Sequence, residues 1–249
     1  MRILVITLLF ILNACGSSSS SSPDAGTPGG GTPGGGTPGG DPCLSSPTPG
    51  TVCTSGTVFL GSLNGHDLMT TPGGCGEIPS GQIAGGSGTN AYSTTDFTPT
   101  CSGGTDSLTK KWNNGSGSYY DIPGLTNYST QPGQGYGSTN IDANLGDANT
   151  ANIVAITSSG QGGYHAAARY CDKLDFGGYT DWYLPNRAEL NIFWDNVASI
   201  PGLDKTGTYY WSSTEYNQNY AWYQQFNFGG TQDSTLKSDS RLFRCVRRF

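Results

Sequence analysis

Histidine and charge are scarce in this chain of 249 residues. It has two His, His66 and His165, and charged residues make up 12%. Neither His has a second His or a reactive Cys beside it, and no carboxylate pair is placed for acid–base work, so no catalytic set is legible. The close Cys and His pairs that hold zinc are missing as well. Lys and Arg number 12 against 18 Asp and Glu, and the formal net charge of −6 argues against nucleic acid and anionic lipid as partners. The chain is therefore expected to be no enzyme, to use no cofactor and to hold no metal. Long apolar runs are lacking apart from residues 3–12, which are too few to span a bilayer.

That apolar run has a clear context. Residues 1–15 read MRILVITLLFILNAC: one Arg, the apolar stretch, then small residues and a Cys, as in a secretory signal. Leu12-Asn13-Ala14-Cys15 resembles a bacterial lipobox, which implies that Cys15 is lipidated and becomes the new N-terminus. Several acyl chains on one residue give stable anchoring, so the first partner expected is a membrane. Gly16 follows the Cys, where Asp is the inner-membrane retention signal in many Gram-negative bacteria. By that analogy the outer membrane is the expected location, with the domain at the cell surface. Residues 16–42 follow with a Ser run and TPGG repeats. They have almost nothing apolar to bury and lack the three-residue period of collagen, so they read as a flexible tether. Its r.m.s. reach is roughly 30 Å.

Residues 43–249 have the size and composition of one loop-rich folded domain. Of seven Cys, Cys15 is assigned to lipidation. The even remainder, Cys43, Cys53, Cys75, Cys101, Cys171 and Cys245, supports three disulfides in an exported chain. Proximity suggests Cys43 with Cys53 and Cys75 with Cys101. Thr57 to Gly61 reads as a first strand, and Asn64 to Asn140 as short strands and long loops. Asp142 to Asn149, DANLGDAN, offers oxygen ligands to calcium, but its Gly stands fifth rather than sixth and no Glu follows at the twelfth position. Asx turns account for the same residues.

Two helices are legible. Ala166, Ala167, Tyr170, Cys171 and Leu174 form an i, i+3, i+4 stripe, which predicts a helix over 164–174. Asn186 with Glu189 three residues on predicts a capping box opening a second helix, with Leu190, Phe193, Trp194 and Val197 on its apolar face to about residue 198. Trp194-Asp195-Asn196 is reminiscent of lectin calcium and sugar ligands, but it falls inside this helix and is set aside. Both His residues are expected to be structural or on the surface.

The last forty residues carry two layers. Trp211, Trp222, Phe226, Phe228, Leu242, Cys245 and Val246 are apolar anchors, and Tyr, Asn, Ser, Thr and Asp fill the positions between them. Trp222, Phe226 and Phe228 share one parity, and Tyr223, Gln225 and Asn227 the other, so a strand here buries one set and leaves the other in solvent. A Tyr- and Asn-rich face with little charge has the chemistry of a paratope. The expected ligand-binding surface is Tyr216, Asn217, Asn219, Tyr220, Tyr223, Asn227, Asp233, Ser234, Ser238 and Asp239, on one exposed side of the domain.

WYLPNRAEL (182–190), YWSST (210–214), Ala221-Trp222, a Phe/Gly patch and the terminal RCVR (244–247) follow in an order that resembles the C-terminal domain of the collagen-like adhesin (Lcl) family of bacterial surface proteins. The resemblance runs over roughly residues 144–249. It implies an α+β, C-type-lectin-like fold related to formylglycine-generating enzymes, with two helices on small, mostly antiparallel sheets and long loops. It also implies a Cys171–Cys245 bridge from the first helix to the last strand, and an adhesin-like domain for an extracellular protein or glycan. The competing reading is a structural envelope lipoprotein without a specific ligand.

The tail is also similar to variable regions diversified by retroelements that mutate adenines. Asn codons ending in a pyrimidine can then become Tyr, Ser, Asp, Thr, Leu or Phe, but not Gln, Glu, Lys, Trp or Met. The first set here comprises the ten residues above together with Phe228, Thr235, Leu236 and Ser240. Interleaved with it are Glu215, Gln218, Trp222, Gln224, Gln225, Gln232 and Lys237.

Overall fold

A computed structural model describes residues 41–79, 93, 95–113, 120–125, 146–156, 165–227 and 229–249. The signal segment, Cys15, nearly all of the tether, residues 142–145 and Phe228 lie outside the described residues. The described chain is α+β. Asp41 and Pro42 already belong to the domain, because the Asp41 Oδ1 accepts from the Cys43 and Thr54 amides at 3.0 and 3.2 Å.

Two sheets organise the described residues. The smaller contains β1 (Val58–Leu63), β2 (His66–Thr70) and β8 (Val246–Arg248) in the order β1-β2-β8, all antiparallel. The larger contains β3 (Thr109–Lys111), β4 (Tyr209–Glu215), β5 (Tyr220–Gln225), β6 (Gln232–Leu236) and β7 (Ser240–Leu242). Its order is β3-β7-β4-β5-β6, with only β4 and β7 parallel. The predicted first strand is present, shifted by one to two residues.

Strand β4 lies inside the larger sheet and is covered on both faces. Successive side chains point to opposite faces, so the neighbours Tyr210 and Trp211, both 0% exposed, enter different cores. Trp211 joins Trp112, Ile153, Tyr170, Leu174 and Phe243 in one core, and Tyr210 joins Leu68, Leu190, Phe193, Phe226 and Val246 in the other.

Among the described residues there are three α-helices rather than two: α1 (Gly146–Val154), α2 (Ala166–Asp172) and α3 (Arg187–Asp195). The stripe predicted for α2 is buried throughout. The predicted capping box is present: Asn186 Oδ1 accepts from the Glu189 amide at 2.7 Å, and Glu189 Oε2 accepts from the Asn186 amide at 2.9 Å. Helix α1 was not legible because its buried side is mostly polar, with Ile153 the one large apolar residue fully buried on it. Thr150 Oγ1 donates to the Leu184 carbonyl at 3.3 Å and accepts from its amide at 3.0 Å, and Asn149 Nδ2 donates to Ser213 Oγ at 3.5 Å. Gly146 opens α1 tight against the α3 cap, where a Cβ would collide with Glu189 Oε2.

All three disulfides are formed as expected, Cys43–Cys53, Cys75–Cys101 and Cys171–Cys245. The last joins α2 to the residue before β8, with Cα atoms 5.4 Å apart. Closing so long a loop stabilises by about 4 kcal/mol in the chain-entropy picture. The arginines around Cys245 add further ties. Arg244 binds Asp106 through Nε and Nη2 at 2.9 and 2.5 Å, and Arg247 binds Asp181 at 2.7 and 3.0 Å while lying over the Tyr179 ring.

Candidate functional site

The predicted alternation along β5 is present. Trp222, Gln224 and Phe226 are buried, whereas Tyr223, Gln225 and Asn227 are half-buried. None of the ten candidate residues is buried: Asp233 is exposed and the other nine are intermediate. Of the seven interleaved residues, Glu215, Trp222, Gln224 and Lys237 are buried, whereas Gln218 is exposed and Gln225 and Gln232 are half-buried.

The ten do not form one surface, which corrects the expectation. Antiparallel pairs put opposed residues on the same face. The register sets Tyr220 against Leu236, Trp222 against Ser234 and Tyr223 against Asp233. Tyr216, Tyr220 and Ser234 therefore share the Trp222 face, and Tyr216 packs edge-on to both Tyr220 and Trp222 at ring distances of 6.5 and 5.5 Å. Tyr223, Asp233 and Asp239 lie on the opposite face. Asn217, Asn219, Asn227 and Ser238 sit in the connections at the strand ends. The sequence displays parity within a strand but not the pairing of β5 with β6, and pairing decides which residues meet.

The Trp222 face rests on a network that the sequence did not reveal. The Arg187 guanidinium stacks 3.5 Å from the Trp222 ring centre, and its Nε donates to Gln232 Oε1 at 2.9 Å. Gln232 Nε2 donates to the Arg187 carbonyl at 2.8 Å and to Gln224 Oε1 at 3.1 Å, and Gln224 Nε2 donates to Asn191 Oδ1 at 3.0 Å. Arg187 is the first residue of α3, so the capping box that fixes the start of α3 also fixes the floor under Tyr216 and Tyr220.

The Tyr223 face borders a groove of about 140 Å³ lined by Thr208, Tyr209, Ser240 and Arg241 among others. Tyr209 and Tyr223 meet edge-to-face at 4.9 Å, and the Arg241 guanidinium lies 4.6 and 5.7 Å from their ring centres. Asp239 Oδ2 accepts from Arg241 Nη2 at 3.1 Å and from Thr235 Oγ1 at 2.5 Å. Partial burial, with the nearby Asp233 carboxylate, raises the Tyr223 hydroxyl above its ordinary value. Tyr209 and Arg241 were missed because each sits outside the Asn-derived string. A larger groove, about 290 Å³, runs between Asp147, Asp172, Asp181 and Arg248 and is lined by none of the ten.

Two of the ten also serve the fold. Asn217 Oδ1 accepts from the Asn219 and Tyr220 amides at 2.8 and 2.9 Å and so shapes the β4–β5 turn. Asp239 holds Arg241 in place. His165 is buried, with Nδ1 3.1 Å from the Trp112 carbonyl, and burial lowers its pKa to about 3. His66 is exposed on β2.

Residues 127–247 match a family model described as the Lcl C-terminal domain, beginning upstream of the resemblance at 144. A comparison with curated proteins returned no match.

Proposed function

Taking the membership of residues 127–247 in the Lcl C-terminal domain family as premise, we propose that this chain is a surface-displayed, lipid-anchored bacterial protein whose domain binds an extracellular protein or glycan. It performs no catalysis. Cys15 carries the anchor, residues 16–40 the tether, and the β4–β6 region the contact surface.

The observation that carries this reading is the partition of the tail. Every described residue of the Asn-derived set keeps solvent exposure, while four of the seven residues interleaved with it, Glu215, Trp222, Gln224 and Lys237, are buried and Gln218, Gln225 and Gln232 are not. A contact layer that is separable from its scaffold can change without unfolding the domain, because surface substitutions usually cost within about 0.5 kcal/mol. The same partition favours retroelement diversification of the tail, and a reverse-transcriptase gene beside a near-identical template repeat is the genomic sign to look for. Tyr offers amphipathic area at small entropic cost, and both faces present it.

Glycan and protein arrays are the direct test. The Tyr220→Ala and Tyr223→Ala variants, made separately, identify the face in use: one of them weakens binding with Tm nearly unchanged. Trp222→Ala lowers Tm instead. If no array ligand is captured, or if neither Tyr variant affects capture, the structural-lipoprotein reading replaces this one. The anchor is tested separately, since Cys15→Ser must move the protein from the detergent phase to the aqueous phase.

A further inference from the structure

One end of the larger sheet holds a buried pair that is not among the ten candidate contact residues. Glu215 ends β4 and Lys237 immediately follows β6. Their side chains are 0% and 1% exposed. Lys237 Nζ touches Glu215 Oε1 and donates to the Tyr120 carbonyl at 2.7 Å. The Ile122 amide donates to both Glu215 oxygens at 3.1 Å. The buried Trp112 ring covers Nζ at 4.8 Å from its centre, and Ile122 is buried beside it.

Removing two charges from water costs several kcal/mol per ion before their attraction offsets it. Burial accordingly raises Glu215 to about 7 and lowers Lys237, even though each favours the charge of the other. Both are drawn toward a neutral carboxylic acid facing a neutral amine. A desolvated lysine amine is a nucleophile, and groups held in contact reach effective molarities of about 10⁵–10⁸ M.

We propose that Lys237 and Glu215 join in a spontaneous intramolecular isopeptide bond. The Nζ lone pair attacks Glu215 Cδ, forming a C–N bond, and one carboxyl C–O bond breaks. That oxygen leaves as water, carrying the carboxyl proton and one proton from Nζ. One water is lost, and no oxidant or co-reactant is needed. The remaining oxygen stays on the Ile122 amide, a donor placed where negative charge builds up during attack. Nζ keeps one hydrogen for the Tyr120 carbonyl. Asp121, between these two backbone groups in sequence, acts electrostatically on both reacting side chains. The product is a covalent strap from the end of β4 to the end of β6, closing the segment that contains Tyr216 to Leu236.

The wild-type protein tests this directly. The full chain is denatured, reduced, alkylated and digested with trypsin. An unlinked chain is cut after Lys237 and yields peptides 206–237 and 238–241. The linked chain is not cut there and yields 206–241, lighter by one water than its sequence, with fragment ions joining Glu215 to Lys237. Lys237→Arg and Glu215→Ala must each abolish the water loss. Cleavage at Lys237, or an uncut 206–241 of full mass, overturns the proposal even if both variants fail to fold. Neither result bears on ligand binding, which the arrays test independently.

Discussion

Strands β4 and β6 both flank β5, yet they occupy different environments. From Tyr210 to Glu215 every residue of β4 is buried, and along β6 every residue keeps some contact with solvent. β4 lies between two cores, and β6 is the edge of the sheet. The difference shows where the sheet is constrained. Polar groups on β4 are fixed by specific partners: Ser212 Oγ donates to the Trp222 carbonyl at 2.9 Å, the Ser213 amide to the Pro185 carbonyl at 2.7 Å, and Thr214 Oγ1 accepts from the Arg187 amide at 3.1 Å. On β6 the Ser234 amide is satisfied at 2.7 Å by the preceding Asp233 side chain. Such local bonding also blunts an edge that would otherwise pair with another chain.

The largest expected effect is on β4. Trp211→Ala leaves a cavity beneath α2 and unbonds the Lys110 carbonyl that its Nε1 reaches at 2.9 Å. A loss of about 3–5 kcal/mol in chemical denaturation is expected. A loss below about 1 kcal/mol would mean that the two-core description is wrong.

The next concerns the α3 cap on which the polar end of β4 rests. Burial raises Glu189 to about 7, with the Asn186 amide, the Tyr183 hydroxyl and Arg248 pulling it back. A carboxyl whose folded pKa lies above its unfolded value gives stability that is full below the unfolded pKa and is lost as pH rises through the folded one. Between about pH 4.5 and 7 wild type should therefore lose on the order of 2–3 kcal/mol from this group. Glu189→Gln keeps the capping box and should flatten that slope in denaturation curves across the window. An unchanged slope would assign the pH dependence elsewhere.

Asn186→Ala removes the other half of the box. It should cost about 1 kcal/mol by thermal melting. It should also weaken any binding that depends on Tyr220, because Arg187 supports Trp222 beneath that residue. The smallest effect belongs to β6. Ser234→Tyr and Asp233→Asn should each stay within about 0.5 kcal/mol. Destabilisation of β6 comparable to that of β4 would erase the contrast between the strands.

Features set by local chemistry were legible in the sequence. The α2 stripe, the capping box and the Trp222/Tyr223 parity all depend on residues a few positions apart, and two of the disulfide pairs followed from proximity along the chain. What was missed depends on distant partners. Helix α1 presents Asn149 and Thr150 to its neighbours, and no apolar periodicity marks such a helix. Glu215 meets Lys237 across two strands, and Arg187 reaches Trp222 from another element, so neither contact has a spacing to recognise. The single-surface expectation failed on local grounds instead, because parity alone puts Tyr220 and Tyr223 on opposite faces of β5, and only the assignment of Ser234 and Asp233 to those faces needed the β6 register.

The smaller sheet has a consequence for the timing of assembly. Its third strand, β8, lies far along the chain from the other two, with Val246 opposite Thr70, Arg247 opposite Met69 and Arg248 opposite Leu68. Until β8 and the Cys245 before it have been synthesised, β2 lacks the strand that covers its edge and Cys171 lacks its disulfide partner. Contacts this far apart in sequence make folding slow and expose intermediates to aggregation. The domain therefore closes only once β8 can join strands made much earlier.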